Sequence, residues 1–303
     1  MTFYISHHGD MGMPLAWLLN AKRLPFYVAV SNGKAYTYDC DAGEDDILLI
    51  DMDFDYYRKV IEEFGGRVIL YPHGAAPNLT WDGVHEPHPK VEKALVTSEG
   101  HKEVMRRYGY PKPVEVIGWY LCEIKPFKPP KGNKVLYCPI HPIMGGEFMY
   151  EEDTDENVRV FKELLEMRNV IELSVRYRHS LEMNGLHKED GVYYYNTGGF
   201  DDLDAYDMVV ANGTLAYAAI AKGIPTVMHK QDTCARNPGD APNNRVVAKS
   251  LDKYWDYLKY PYSSDDLLAS MIKAAKVEPV EWKDRFIGKQ MEGEKFVESV
   301  SEA

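Results

Sequence analysis

The stretch Asp204–His229, DAYDMVVANGTLAYAAIAKGIPTVMH, decides the fold. Met208 to Ala211 is a continuous apolar run, as expected of a strand buried on both faces of a parallel sheet. Asn212-Gly213-Thr214 follows as a turn. Its glycine permits close backbone approach, and its threonine is placed to cap the next helix. Leu215 to Lys222 is alanine-rich and helix-compatible. Gly223 stops that helix, Pro225 forbids its continuation, and Thr226 opens the next strand. A strand feeding a helix N-terminus is where open α/β sheets take phosphate-bearing ligands. An ordinary βαβ unit without a ligand has the same local pattern.

Working outward, the same alternation recurs on both sides. Towards the N-terminus the strands are Phe3 to Ile5, Phe26 to Val30, Ala35 to Tyr38, Ile47 to Ile50, Arg67 to Tyr71, Lys93 to Thr97 and Val114 to Ile117. Helices follow around Leu15–Leu19, Tyr56–Phe64 and Glu99–Tyr108. Glu123 to Lys134, EIKPFKPPKGNK, carries three prolines and four lysines without periodicity and reads as a linker. The pattern restarts at Lys134 to Cys138. The acidic run Glu151 to Glu156 reads as a loop, then a helix to Met167, and strands Asn169 to Val175 and Val192 to Tyr195. Asp201 to Tyr206 is a short helix, Ser263 caps another, and one last helix runs from Trp282 to Val300. The expected domains are 1–122, a linker at 123–133, 134–281, and a C-terminal helix at 282–303 packing back towards the first domain. Two parallel-sheet domains should present their strand ends to a ligand in the cleft between them.

The totals bound the function. A chain of 303 residues is comfortable for two α/β domains. No apolar run approaches the roughly 20 residues of a membrane helix, and the N-terminus has no signal-peptide pattern, so a cytoplasmic protein without a membrane span is expected. Four scattered cysteines fit a reducing compartment. A net charge of −12 argues against a general nucleic-acid binder.

Three segments together resemble the two-domain GT-B glycosyltransferase architecture: ALVTSEGHKEVMRRYGYPKPVEVIG (Ala94–Gly118), KVLYCPIHP (Lys134–Pro142) and TGGFDDLDAYDMVVANGTLAYAAIAKGIPTV (Thr197–Val227). Tyr71-Pro72-His73-Gly74 is similar to the His-Gly element of CDP-glycerol glycerophosphotransferases, and sugar-nucleotide epimerase-like proteins share the architecture. The resemblance covers about half the chain. It implies two Rossmann-like α/β domains facing across a cleft, and metal-independent transfer of a sugar or polyol phosphate from a nucleotide-activated donor, UDP-linked for instance, to an acceptor hydroxyl. No cofactor is implied beyond the nucleotide-activated sugar itself. Many relatives carry an acidic residue five positions before the closing Gly-x-Pro; here it is Ala218.

Such chemistry needs the leaving diphosphate neutralised and the acceptor hydroxyl deprotonated. Arg176, Arg178 and His179 end one strand and suit diphosphate oxygens. Asn212, Gly213 and Thr214 offer backbone and side-chain donors, and His141 could reach phosphate. By the resemblance, Thr197 and Gly198 face the nucleobase. For the base, His73, His8 and Asp10 each end a strand of the first domain, and histidine titrates near working pH. Asp10 reads equally as a helix cap.

Other readings stay open. His7, His8, Asp10, Asp51, Asp53, His85 and His88 could build a metal hydrolase. Yet the two adjacent histidines point oppositely in extended chain, and His85-Glu-Pro-His88 is no helical zinc element. A sugar-nucleotide 2-epimerase, a non-catalytic nucleotide-sugar-binding protein, and a transferase acting on hydroxymethylated DNA bases through Arg106, Arg107 and the linker lysines complete the set. The acceptor is a glycan, a polyol phosphate or modified DNA.

Overall fold

A computed structural model describes residues 1–6, 13–23, 42–51, 60–71, 87–107, 109–139, 151–177, 180–196, 198–229 and 258–302. In chain order the first elements are β1 (Phe3–Ser6), α1 (Met13–Leu18), β2 (Lys22–Arg23), β3 (Ile47–Ile50), β4 (Arg67–Leu70), β5 (Val91–Val96), α2 (Glu99–Arg107) and β6 (Val114–Val116). Then come β7 (Lys134–Tyr137), α3 (Glu151–Glu166), β8 (Glu172–Arg176), β9 (Tyr193–Tyr195), β10 (Met208–Ala211), α4 (Gly213–Ala221) and β11 (Thr226–Met228). The chain closes with α5 (Leu267–Ala274), α6 (Val280–Phe286) and α7 (Gly293–Ser301). Contacts divide the described residues into two compact units: Met1–Leu121 with the stretch from Asp284 onward, and the residues from Cys122 to Lys283.

The first unit holds a six-stranded parallel sheet in the order β2-β1-β3-β4-β5-β6. All four residues of β3 are buried, the pattern of a central strand covered on both faces. The apolar core joins Ile5, Leu15, Leu49, Ile69 and Leu95 to Phe296 and Val300 of α7. Burying each of the latter two stabilises by roughly 2 kcal/mol. Lys93 fastens the end of α7: its ammonium pairs with Glu115 at 3.2 Å and donates to the carbonyls of Ser299 and Glu302. Pro14 sits in the first turn of α1, where a missing N–H costs nothing.

The single helix expected from Trp282 to Val300 is two. Gly288 adopts φ +71°, and the segment beyond it pairs with Trp119, which donates to the Lys289 carbonyl at 2.7 Å and accepts from the Met291 amide at 2.9 Å. A left-handed residue followed by extended pairing breaks the helix. The apolar periodicity across 282–300 hid that break.

The second unit holds a five-stranded parallel sheet in the order β11-β10-β7-β8-β9. Its helix α3 starts at Glu151, within the acidic run read above as a loop. Carboxylates near a helix start complement its dipole, so the run suits a first turn. Phe161 and Leu164 of α3 are buried, and Tyr137 stacks on Phe161 at 6.2 Å. Helix α4 is apolar on every side and buried from Ala216 to Ala221. Tyr217 meets Trp282 edge-on at 4.9 Å.

The proline-rich stretch after Cys122 is strapped along this unit. Lys125 and Lys128 donate their amides to the carbonyls of Ala221 and Gly223, both at 2.8 Å, satisfying the exit of α4. The Asp207 carboxylate gathers the amides of Lys131, Gly132 and Lys134 at 3.0–3.1 Å. Burial would raise its pKa, but those three donors hold it below the usual carboxylate value.

Candidate functional site

The second sheet fixes where a ligand can enter that unit. From β7 the chain first moves outward through β8 and β9, then returns to the opposite side of β7 for β10 and β11. The carboxyl ends of β7 and β10 therefore feed connections that run to opposite sides, which opens a crevice beyond the strand ends. Cys138 ends one side, with its amide on the Val210 carbonyl at 2.8 Å. Asn212 ends the other and leads into α4.

The turn into α4 departs from expectation in one respect. Thr214 lies inside the helix, and the cap position belongs to Asn212, which is extended at φ −125°, ψ 165°. The Asn212 side chain makes no capping bond to the helix. Its Nδ2 donates instead to the His229 carbonyl at 3.1 Å, tying the end of β10 to the end of β11. Gly213 has φ +57°, and a Cβ there would meet nothing within 4 Å. Conformation, not crowding, therefore calls for glycine. The first-turn N–H groups of a helix have no intrahelical acceptor, and the helix dipole makes that end electropositive. Asn212, the residue type best suited to capping them, is used elsewhere.

Arg176 ends β8, level with Tyr195 of β9. Its guanidinium donates to the Gly199 carbonyl at 2.9 Å and to the Gly198 carbonyl, a two-pronged grip on successive peptide groups. Gly198 has φ +125°, and a Cβ there would lie 1.7 Å from the Asp202 carboxylate. The loop after β9 thus needs both the glycine and the arginine. Tyr195 is bonded to the Tyr206 hydroxyl at 3.2 Å; burial, then that bond, pushes its pKa up.

Of the site residues read from the sequence, the structure brings Arg176 together with Gly198, and Asn212 together with Gly213 and Thr214. Arg178, His179, Thr197 and His141, and all three candidate bases His73, His8 and Asp10, lie outside the described residues, as do His7, Asp53 and His85. Asp51 is buried after β3. His88 accepts the Lys90 amide at 3.2 Å and lies 3.8 Å from Glu62. Among the described residues, no group of three or more His, Cys, Asp or Glu is placed to hold a metal ion. No described helix is long and apolar enough to cross a membrane.

A cluster that sequence reasoning missed lies beside the β7 and β11 ends. His229 is fully buried, 5.4 Å from the Tyr137 ring, and its ring nitrogens have no hydrogen-bond partner among the described residues. Its Nδ1 lies 3.9 Å from Glu156. Burial lowers its pKa to about 4, against the pull of Glu156 and with the push of Arg159. Arg159 grips the Glu156 carboxylate at 2.6 and 2.8 Å and donates to the Ser264 carbonyl at 2.8 Å, while the Ser264 hydroxyl donates to Glu156 at 3.0 Å. The i, i+3 spacing of Glu156 and Arg159 was the available signal. Nothing around His229 marked it as more than a strand end.

Two further positions limit the chemistry. Burial drives the Cys138 thiol up to about 12, against a smaller opposing pull from Arg176, so it is a thiol and no nucleophile at neutral pH. Ala218, where the resemblance expects an acid, is fully buried, and its carbonyl accepts from the Cys122 thiol at 3.8 Å and the Lys222 amide at 3.0 Å.

No protein-family profile matches the chain, and no curated protein matches it in sequence. Solved structures do match. The pneumococcal O-GlcNAc transferase GtfA, solved with UDP and GlcNAc, aligns with 86% of this chain at 12% identity and a TM-score of 0.47. The chain spans 57% of the length of that protein. MnaA of S. aureus, solved with UDP, aligns over 98% of this chain and 94% of its own at 9% identity and a TM-score of 0.48. The glycosyltransferase SnogD from Streptomyces nogalater aligns over 99% of this chain and 98% of its own, at 11% identity and a TM-score of 0.51. The likeness to SnogD, together with the two all-parallel sheets, gives the chain the Rossmann-like two-sheet fold of the GT-B type.

Proposed function

We propose that the chain is a glycosyltransferase-type enzyme that moves a sugar, or a polyol phosphate, from a nucleotide-activated donor to an acceptor hydroxyl without a metal ion. The observation that carries this reading is the start of α4. A nine-residue helix begins at the switch point of a doubly wound sheet, with glycine as its first residue and its cap side chain turned away. An anion there would receive N–H groups and a favourable dipole. The GT-B fold, shared with a glycosyltransferase, supports the donor being a nucleoside diphosphate derivative.

In this account the donor's diphosphate lies on the amides of Gly213 and Thr214, with Thr214 adding its hydroxyl. The loop at Thr197 and Gly198 faces the nucleobase and is held by Arg176. Arg178, His179 and His141 supply further positive or hydrogen-bonding groups to the diphosphate. Departure of the nucleoside diphosphate in sugar transfer, or of the nucleoside monophosphate in polyol-phosphate transfer, needs no metal, because the helix start and these side chains take up its charge. His73, His8 or Asp10 removes the acceptor's proton. The nucleotide-activated sugar is the co-substrate, and no separate cofactor takes part. A glycan or polyol phosphate suits an acidic protein better than DNA does. The likeness to CDP-glycerol transferases, carried by Tyr71-Pro72-His73-Gly74, belongs to the same proposal.

The test is a thermal-shift panel of UDP-, CDP-, GDP- and dTDP-linked compounds, followed by a release assay with the compound that binds. A ligand at 100 times its Kd raises stability by about 2.7 kcal/mol. One class of nucleotide should raise the melting point and then be consumed only when acceptor is present. A flat panel would refute donor binding. Binding without turnover across glycan, polyol-phosphate and DNA acceptors would favour a non-catalytic binding protein.

A further inference from the structure

We infer that Asn212 acts as a positioning residue that aims the start of α4 and does not itself hold the ligand; this inference rests on the donor-binding role proposed for that helix. The geometry separates the two roles. Asn212 is extended, and its Nδ2 donates to the His229 carbonyl at 3.1 Å. The His229 amide in turn donates to the Ala211 carbonyl at 2.8 Å. The residue before α4 is therefore cross-tied to the residue after β11 on two successive peptide groups. One tie is part of the sheet. The other is a side-chain bond that no sheet register requires.

The tie sets a direction. Gly213 follows at φ +57°, a conformation from which the chain can leave at several angles. Nothing in the glycine fixes which angle is taken. Asn212 does so by holding the peptide in front of it against β11, so the first amides of α4 emerge in one orientation. The side chain also gives up the cap role that its type ordinarily fills, which leaves those amides uncovered by it. A serine or aspartate at the same place would turn its oxygen onto the helix and compete with an anion.

The bond has a chemical signature. A carbonyl acceptor demands a donor, and the carboxamide supplies one at every pH. Aspartate regains a donor only when protonated, around its ordinary pKa of about 3.9, and its carboxylate also competes with a bound anion. Asn212→Leu, similar in shape to asparagine and uncharged, removes the donor alone and isolates the tie.

The experiment measures nucleoside diphosphate affinity of the full chain by calorimetry at pH 7.5, for wild type, Asn212→Ala and Asn212→Leu, alongside each melting temperature and the ligand-free amide exchange of residues 213 and 214. Asn212→Ala should bind about three- to tenfold more weakly. Asn212→Leu should be weaker by a similar factor, and exchange at residues 213 and 214 should quicken in both. Inorganic pyrophosphate, which lacks a nucleoside, should show the same pattern because the aim of the amides is what changes. Wild-type affinity in both variants, whatever their melting points, would overturn the positioning role while leaving the donor site standing. Unchanged exchange at residues 213 and 214 in both variants would overturn it too. Absence of any nucleotide or pyrophosphate binding by wild type would instead refute the donor site, and the inference with it.

Discussion

Lys222 places its ammonium 2.6 Å from the Asp204 carboxylate, with only 4% of the lysine side chain exposed against 41% of the aspartate. The two ends of this pair are not equivalent. Asp204 also meets Lys125 at 3.1 Å near the surface, whereas among the described residues Lys222 has otherwise only Asp201, at 3.7 Å. Removing the acid strands a buried cation; removing the cation strands a partly solvated carboxylate that keeps one partner. Asp204→Ala should therefore cost about 3 kcal/mol and Lys222→Met about 1 kcal/mol in denaturant unfolding. The reverse order would show that the lysine is better solvated than its burial implies.

Gly223 is a second structural test. It follows α4 at φ +72°, and a Cβ there would come within 2.0 Å of the Pro126 carbonyl oxygen. A backbone atom cannot step aside as a side chain can. Gly223→Ala should destabilise by at least about 2 kcal/mol and loosen the strap that runs from Cys122. Proteolysis within residues 122–132, measured against wild type, reports that loosening; unchanged resistance with unchanged stability would contradict the packing.

Arg176 leads to a prediction about binding. Its two terminal nitrogens hold two successive carbonyls, which a lysine ammonium cannot reproduce as a fork. Arg176→Lys should therefore lose nearly as much nucleoside diphosphate affinity as Arg176→Ala, about tenfold. Calorimetry on both variants decides the matter. Full affinity in Arg176→Lys would mean that positive charge alone is used at that place.

Two buried histidines set the response to acid. The His229 pKa is lowered to about 4 and that of His101 to about 3, in both cases by burial first, from the ordinary histidine value of 6.5. Below pH 6.5 the unfolded chain takes up protons at these positions and the folded chain does not. The stability these two groups contribute is therefore complete above pH 6.5 and falls between there and about pH 4. Each unit of separation is worth about 1.4 kcal/mol per group. The lowered carboxylates Asp204 and Asp207 add a further loss only below their ordinary value of 3.8. His101→Met should flatten the unfolding free energy between pH 6.5 and pH 4. An unchanged slope would mean that the ring is solvated in the folded state.

Much of this architecture was legible because each signal was local. The run Met208 to Ala211, the glycine at 223 and the proline at 225 fix β10 and the start of β11 to the residue, and α4 to within two residues. Lys134 to Cys138 located β7 equally well. Failures came where a signal had two meanings. Acidic residues at 151–156 suit a loop or a helix start, and the tertiary contacts of α3 decide for the helix. Apolar spacing from 282 to 300 continues across a break that only the pairing of Trp119 reveals. The two-residue β2 is too short for periodicity to register. In the site, Gly213 was readable from its turn chemistry. The diversion of Asn212 to the His229 carbonyl depends on β11 lying beside β10, which no local pattern encodes.

The central claim is that the start of α4 receives the diphosphate of an activated metabolite. Amide hydrogen exchange of the full chain, with and without the nucleoside diphosphate that gives the largest thermal shift, tests it most directly. The account predicts slowed exchange in the peptide covering residues 211–216 when ligand is bound, with Asn212→Ala reducing that protection at the same ligand concentration. Saturating ligand that slows exchange elsewhere and leaves residues 211–216 unchanged would contradict it.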